Sequence, residues 1–292
     1  EPIIFDFNKA QLLSGYITPF NNDVWATSKD CVKFDEKGIH LYTKPYNMVF
    51  TDTWVDPIYV DNIRGWVDFK EFGGHGYEKK YSASYGTWVI DLRINNPKTF
   101  LAVWMLRERH PSQETSETFK VKSINKNKII LDSLPDYILT NYLVYESNDF
   151  KKYLGQITSI NENEITLDKD IEINLNEITI SKDNVIPEID ILEIINGGIE
   201  QTIHSGYTPI DSNLYRKTQK TARICQLSKK DYEVAVTVSP DGYKFYVDGI
   251  LTSEVWEKSP DIPNYIILST QPNAETDGIT TEAIIKSIKY FS

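Results

Sequence analysis

The run Val185-Ile186-Pro187-Glu188-Ile189-Asp190-Ile191-Leu192-Glu193-Ile194-Ile195 sets the terms on which the rest of the chain is read. Its middle alternates acid with isoleucine, and in a strand successive side chains point to opposite faces. Glu188 and Asp190 therefore share one face, and Ile189 and Ile191 the other. Continued without a break, the alternation would put Glu193 among the isoleucines, where an unpaired carboxylate is costly. One extra residue, a β-bulge at Ile191 or Leu192, returns Glu193 to the acidic face and Ile194 to the apolar one. Apolar runs bound the acids at both ends, which places the strand inside a sheet. The expectation is a kinked central strand with three carboxylates on one side.

Outward from this strand, no long amphipathic helical pattern occurs. Short apolar alternations punctuated by Gly, Pro, Asn and Asp predict strands over Gly38–Thr43, Gly86–Ile94, Phe100–Leu106, Glu188–Ile195, Gln201–Tyr207, Tyr232–Val238, Tyr243–Val247, Tyr265–Leu268 and Ala283–Phe291. Asp241-Gly242 and Asp248-Gly249 are tight-turn dipeptides, so Tyr232–Ile250 reads as a meander. With 18 Tyr, 12 Phe and 6 Trp the composition also favours strands. The fold class is all-β, a sandwich or a barrel.

Residues 115–184 differ from the rest: they are rich in Asn, Lys, Glu and Ile and lack Trp. They also repeat. Ser123-Ile124-Asn125-Lys126-Asn127-Lys128-Ile129-Ile130-Leu131-Asp132 is echoed by Ser159-Ile160-Asn161-Glu162-Asn163-Glu164-Ile165-Thr166-Leu167-Asp168. Each copy reads as strand, Asn-centred turn, strand. The domain reading is one β domain from residues 1–114 and 185–292, carrying a small inserted β module, hairpin or barrel, at 115–184. Insertions of this kind go into exposed loops.

The formal charge of −11 makes nucleic acid and anionic membrane poor partners. No apolar run approaches the roughly 20 residues of a spanning helix. Cys31 and Cys225 are the only cysteines; they form one bridge or stay two thiols, and no Cys/His cluster has zinc spacing. The chain starts at Glu1, as a processed form would, and the expectation is a secreted or virion-associated monomer acting on a polysaccharide.

The acidic face suits sugar chemistry. With the bulge, Glu188 and Glu193 are about 13 Å apart along the backbone, at ~3.3 Å per residue. Side chains leaning inward by about 4 Å each would approach the ~5–5.5 Å carboxyl separation of a retaining glycosidase. Asp190 between them raises the proton affinity of at least one neighbour. Spacing alone is a weak signal: Asp168-Lys169-Asp170-Ile171-Glu172 also sets three acids on one strand face, and reads as a solvated hairpin edge. Context separates the two, because the first set lies between apolar runs and is followed by the alternating polar strand Gln201-Thr202-Ile203-His204-Ser205-Gly206-Tyr207.

At this point the residues resemble glycoside hydrolase family 16, the laminarinase, agarase and carrageenase group. Its active strand has the pattern Glu-x-Asp-x-x-Glu, here Glu188, Asp190 and Glu193. Tyr85-Gly86-Thr87-Trp88-Val89-Ile90-Asp91-Leu92-Arg93-Ile94 and Phe100-Leu101-Ala102-Val103-Trp104-Met105-Leu106 are similar to further strands of that family, and Ser239–Gly249 to the hairpin of concanavalin-like sandwiches. The resemblance implies a β-jelly-roll whose concave sheet forms a sugar cleft. It implies Glu188 as nucleophile, Glu193 as acid/base and Asp190 as electrostatic helper. Trp104 would floor the subsite beside the cleaved bond, and His204 would border the leaving-group side. Pro187 stands where the family has glycine.

Trp88 is a further candidate for lining substrate, with core packing as its rival. Arg107, with Arg109 and His110, could meet sulfate groups of a galactan, or form a solvated loop. His75, in Gly73-Gly74-His75-Gly76, is a candidate to border the cleft; the stretch lacks the Lys-Ser/Thr of a phosphate loop. No cofactor or metal is required. A structural calcium is compatible with Asp61-Asn62 or Asp277-Gly278, which read more simply as turns. The expected substrate is a β-1,3-glucan or a marine galactan such as agarose or carrageenan. The rival from another class is a non-catalytic carbohydrate-binding or phage tail module on the same sandwich.

Overall fold

The computed structural model describes residues 1–15, 17–20, 23–50, 58–69, 81–107, 116–136, 138–140, 142–147, 152–181, 188–211, 214–256, 259, 263–272 and 278–292. An 11-stranded sheet runs in the order β22 (Ile250–Val255), β21 (Gly242–Val247), β20 (Asp231–Ser239), β9 (Gly86–Ile94), β24 (Thr281–Phe291), β6 (Gly38–Phe50), β7 (Ile58–Arg64), β4 (Asp23–Thr27), β3 (Ile17–Phe20). Two short strands lie off this path: β1 (Ile3–Ile4) pairs with β24, and β5 (Val32–Asp35) pairs with β6. A seven-stranded sheet runs β19 (Leu214–Gln226), β18 (Gly198–Asp211), β17 (Glu188–Ile195), β10 (Phe100–Arg107), β23 (Asn264–Gln271), β8 (Trp66–Asp68), β2 (Gln11–Leu12). Among the described residues no helix is long and apolar enough to cross a membrane.

The fold is the expected all-β jelly-roll sandwich. The two sheets share one apolar core that takes Ile39 and Leu41 from β6, Leu101, Val103 and Met105 from β10, and Ile266 and Leu268 from β23. Alternation decides these faces. In β9, Trp88, Ile90, Leu92 and Ile94 are buried, while Asp91 and Arg93 point away; Asp91 accepts a hydrogen bond from the Ser287 hydroxyl at 2.8 Å. The expected meander is present as β20–β21–β22, closed at its second turn by Asp248 and Gly249, both at positive φ. Asp and Gly tolerate that conformation best.

Trp88 is the correction. It lies on the larger sheet, 0% exposed in the core, with its ring 4.9 Å from that of Tyr290. Its period-2 partners are all aliphatic, so the core claims it and it cannot line a substrate. Trp88→Ala should therefore lower the unfolding free energy by about 3–5 kcal/mol, read by denaturant titration. Polysaccharide affinity of the protein that remains folded should be unchanged; a selective loss of affinity would return Trp88 to the binding surface.

By compactness the chain divides into Glu1–Leu106, Ile189–Ile203 and Thr221–Ser292 on one hand, and Arg107–Glu188 with His204–Lys220 on the other. The second unit contains a closed six-stranded barrel: β11 (Ser116–Asn125), β12 (Lys128–Leu131), β15 (Glu164–Leu167), β14 (Tyr153–Asn161), β13 (Leu143–Glu146) and β16 (Glu177–Ser181). The two repeats are its hairpins, turned at Asn125↔Lys128 and Asn161↔Glu164. They match in detail. Lys126 and Glu162 both adopt positive φ, and each hairpin carries a register shift 36 residues from the other, at Val121/Ser123 and Ile157/Ser159. Each turn asparagine also serves the other copy: the Asn127 carbonyl accepts the Leu167 N–H at 2.8 Å, and the Asn163 carbonyl accepts the Leu131 N–H at 2.9 Å. Ile129, Leu131, Ile165 and Leu167 fill the barrel's own core.

Cys31 and Cys225 are both free thiols, Cys31 buried and Cys225 exposed. Burial pushes the Cys31 thiol up to about 12, so it packs as a small apolar group.

Candidate active site on the acidic strand

The register between β17 and β10 contains one break. Ala102 pairs with Glu193 and Val103 with Leu192, but the next residue, Trp104, pairs with Asp190. Ile191 is left over, and it is the bulge. Burial agrees: Ile191 and Leu192, adjacent in sequence, are both 0% exposed and both in the core. Two consecutive inward side chains are what a two-against-one bulge produces. Glu193 is thereby kept out of the core, half-buried like Glu188, while Ile189 and Ile194 point inward.

The face opposite the core is built by alternation from neighbouring strands. On β10, Leu101, Val103 and Met105 enter the core, which leaves Ala102, Trp104 and Leu106 on the other side. Ala102 pairs with Glu193, so the acid's cross-strand neighbour on β10 is a methyl group. Trp104 sits opposite Asp190, which is only 3% exposed. The Trp104 indole N–H donates to the Ser269 hydroxyl at 3.1 Å, and Trp66 meets its ring edge-on at 5.3 Å. Asp68 accepts from the Trp66 indole N–H at 3.3 Å, and the Arg64 guanidinium lies 5.2 Å from the Trp66 ring centre. Such edge-to-face and cation–π contacts hold both rings in fixed orientations.

On β18 the core takes Ile199 and Ile203, leaving Glu200, Thr202 and His204 for the other face. Asn196 (φ 49°) and Gly197 (φ 72°) join β17 to β18 in a two-residue turn with both central residues left-handed, the geometry that matches strand twist. Glu188, Asp190 and His204 bring two carboxylate oxygens and a ring nitrogen within 4.8 Å of one another. This mixed donor set is the one group among the described residues that a divalent cation would fit.

The structure thus collects Glu188, Asp190, Glu193 and Trp104 on one sheet face, with His204 beside the first two acids. Arg107 ends β10, but its side chain lies outside the described residues, as do Arg109, His110, His75, Pro187, the side chain of Asp61, and Asp277. Trp66 and Ser269 were missed by sequence reading. Trp66 belongs to a three-residue strand, too short for alternation to register.

No protein-family model and no curated relative matches the sequence. Solved structures do. The chain is similar to the laminarinase catalytic domain from Thermotoga maritima, at TM-score 0.53 and 13% identity over 98% of this chain and 92% of that one. It is similar to the kappa-carrageenase from Pseudoalteromonas carrageenovora, solved with an oligosaccharide of kappa-carrageenan, at TM-score 0.51 and 12% identity over 98% and 89%. It is also similar to the mixed-linkage glucan GH16 of Bacteroides ovatus, at TM-score 0.53 and 10% identity over 99% and 97%. Likeness at this identity establishes the fold: the chain has the jelly roll on which these polysaccharide-cleaving enzymes are built.

Proposed function

We propose that the protein is a retaining endo-glycosidase of the glycoside hydrolase 16 type, hydrolysing internal β-linkages of a polysaccharide outside the cell. The observation that carries the reading is the bulge at Ile191, which puts Glu193 on the side of Glu188 and Asp190 instead of in the core. A strand used only for packing has no need of a kink that spares a carboxylate from burial.

In this reading Glu193 protonates the departing glycosidic oxygen while the Glu188 carboxylate attacks the anomeric carbon. The carbon–oxygen bond breaks and a glycosyl ester forms on Glu188 with inversion. Glu193, now ionised, takes a proton from water, which displaces Glu188 with a second inversion, so configuration is retained overall. Asp190 lies buried between the two on the same strand. Trp104, its indole N–H fixed by Ser269, offers a face on which the apolar side of a sugar ring can stack.

The substrate classes that fit are β-1,3-glucans and galactans of the agarose or carrageenan kind; a laminarinase and a kappa-carrageenase are among the similar structures. Incubation with a panel of β-glucans and galactans, scored for new reducing ends, tests the proposal. Chain-shortening of at least one polymer is expected; inactivity across the panel together with binding on a glycan array would leave a carbohydrate-binding module instead.

A further inference from the structure

Gln201 is 1% exposed and lies on the core side of β18, between Ile199 and Ile203. A primary amide in an apolar layer must find partners for its donors and acceptor. Its Nε2 donates to the Ile191 carbonyl at 3.1 Å and to the Tyr246 carbonyl at 3.3 Å. Its Oε1 accepts from the Thr252 hydroxyl at 2.5 Å, which also lies 3.0 Å from the Phe245 carbonyl. The amide orientation is fixed by this company, because the reverse would set Oε1 against two carbonyl oxygens.

The partners are not ordinary strand residues. Ile191 is the extra residue of the acidic strand. Thr252 is the extra residue of β22: Leu251 pairs with Tyr246 and Ser253 with Phe245, so Thr252 has no cross-strand partner. One side chain therefore joins the bulge of the smaller sheet to a bulge of the larger one. The Ile191 carbonyl belongs to a residue that the β10 ladder skips, and it is buried, where an unpaired carbonyl is costly. Without the Gln201 donor, the chain can relieve that cost by flattening the kink, and flattening turns Glu193 toward the core.

We propose that Gln201 is a positioning residue that fixes the Ile191 bulge and, through it, the place of Glu193. The inference rests on the reading of Glu193 as the acid/base. Gln201→Met keeps length and volume but has no N–H. It should lower kcat on the polysaccharide by about 10- to 100-fold, the size expected for roughly 1 Å of misplacement, with KM within about twofold. On the dinitrophenyl glycoside of the oligosaccharide that the wild-type enzyme releases, whose leaving group needs little protonation, the fall in kcat/KM, which reports only the formation of the glycosyl ester, should be below about threefold. A variant damaged only in packing would lose both substrates alike, and that result, or no loss at all, overturns the proposal. Glu193→Ala is measured in parallel. If it too fails to discriminate between leaving groups, the acid role falls and the positioning role with it; if it discriminates and Gln201→Met does not, only the positioning role falls. Should Gln201→Met not fold, Thr252→Val decides, since it removes the hydroxyl that orients the amide: a selective loss of about threefold to tenfold is expected, and a uniform one overturns the idea.

Discussion

Glu188→Gln is expected to lower kcat on the polysaccharide by about 10⁴-fold or more and to leave polysaccharide affinity within about twofold. The substitution replaces one carboxylate oxygen with an amide nitrogen in a side chain of the same size. The position is half-buried at the start of β17, close to the Asp190 carboxylate and the His204 ring. An amide there can donate to a neighbouring carboxylate, so the face keeps its shape and still receives the sugar chain. What it loses is an oxygen able to form and release a glycosyl ester, and no other residue on the strand replaces it. Turnover is read from reducing ends, and affinity from retardation in a gel containing the polymer. Residual turnover above about one hundredth of wild type would remove Glu188 from the nucleophile's role.

Glu193→Ala should cost about 10²- to 10⁴-fold on the polysaccharide, the usual range for a general acid–base group. In kcat/KM the loss should shrink sharply on a dinitrophenyl glycoside, because that leaving group departs without help. The second half of the reaction then stalls, since no base activates water. Added azide needs no base and can occupy the room above Ala102 that the missing side chain vacates. It should restore turnover and give a glycosyl azide of retained configuration, identified by its anomeric proton coupling. An azide product of inverted configuration would exclude the double displacement while leaving a glycosidase in place.

The parts of this site that sequence reading reached are those fixed by local alternation and the cost of burying charge. Three acids with Ile194 behind them admit few strand geometries, and a bulge at Ile191 or Leu192 is the one that satisfies all of them; the structure has it at Ile191. The same logic applies to Trp88, whose period-2 partners Ile90, Leu92 and Ile94 mark the core face. Non-local pairing was out of reach. The strand predicted over Gly38–Thr43 continues to Phe50 through Pro45, because a register shift between Pro45 and Met48 takes up an extra residue against β7. The parallel pairing of β4 with β7, at Trp25↔Asn62, has no local signature. Closure of the two hairpins into a barrel depends on β13 and β16, whose short apolar runs acquire meaning only once the hairpins are adjacent. Gln201 was read as an ordinary polar position, since what distinguishes it is the pair of backbone kinks it meets.

The barrel bears on how the acidic strand finds its neighbour. Between Arg107 at the end of β10 and Glu188 at the start of β17 lie roughly 80 residues, a long stretch of loose chain to close before those two strands can zip together. Ser116 and Ser181, however, are paired partners at the barrel's own seam. Once the barrel has formed, the untethered span shrinks to roughly 14 residues, which by the logarithmic law lowers the entropic cost of closure by about 1.5 kcal/mol. Whatever else it does in the mature protein, the barrel is thus placed to act during synthesis as a folding tether, drawing Trp104 and Asp190 into register.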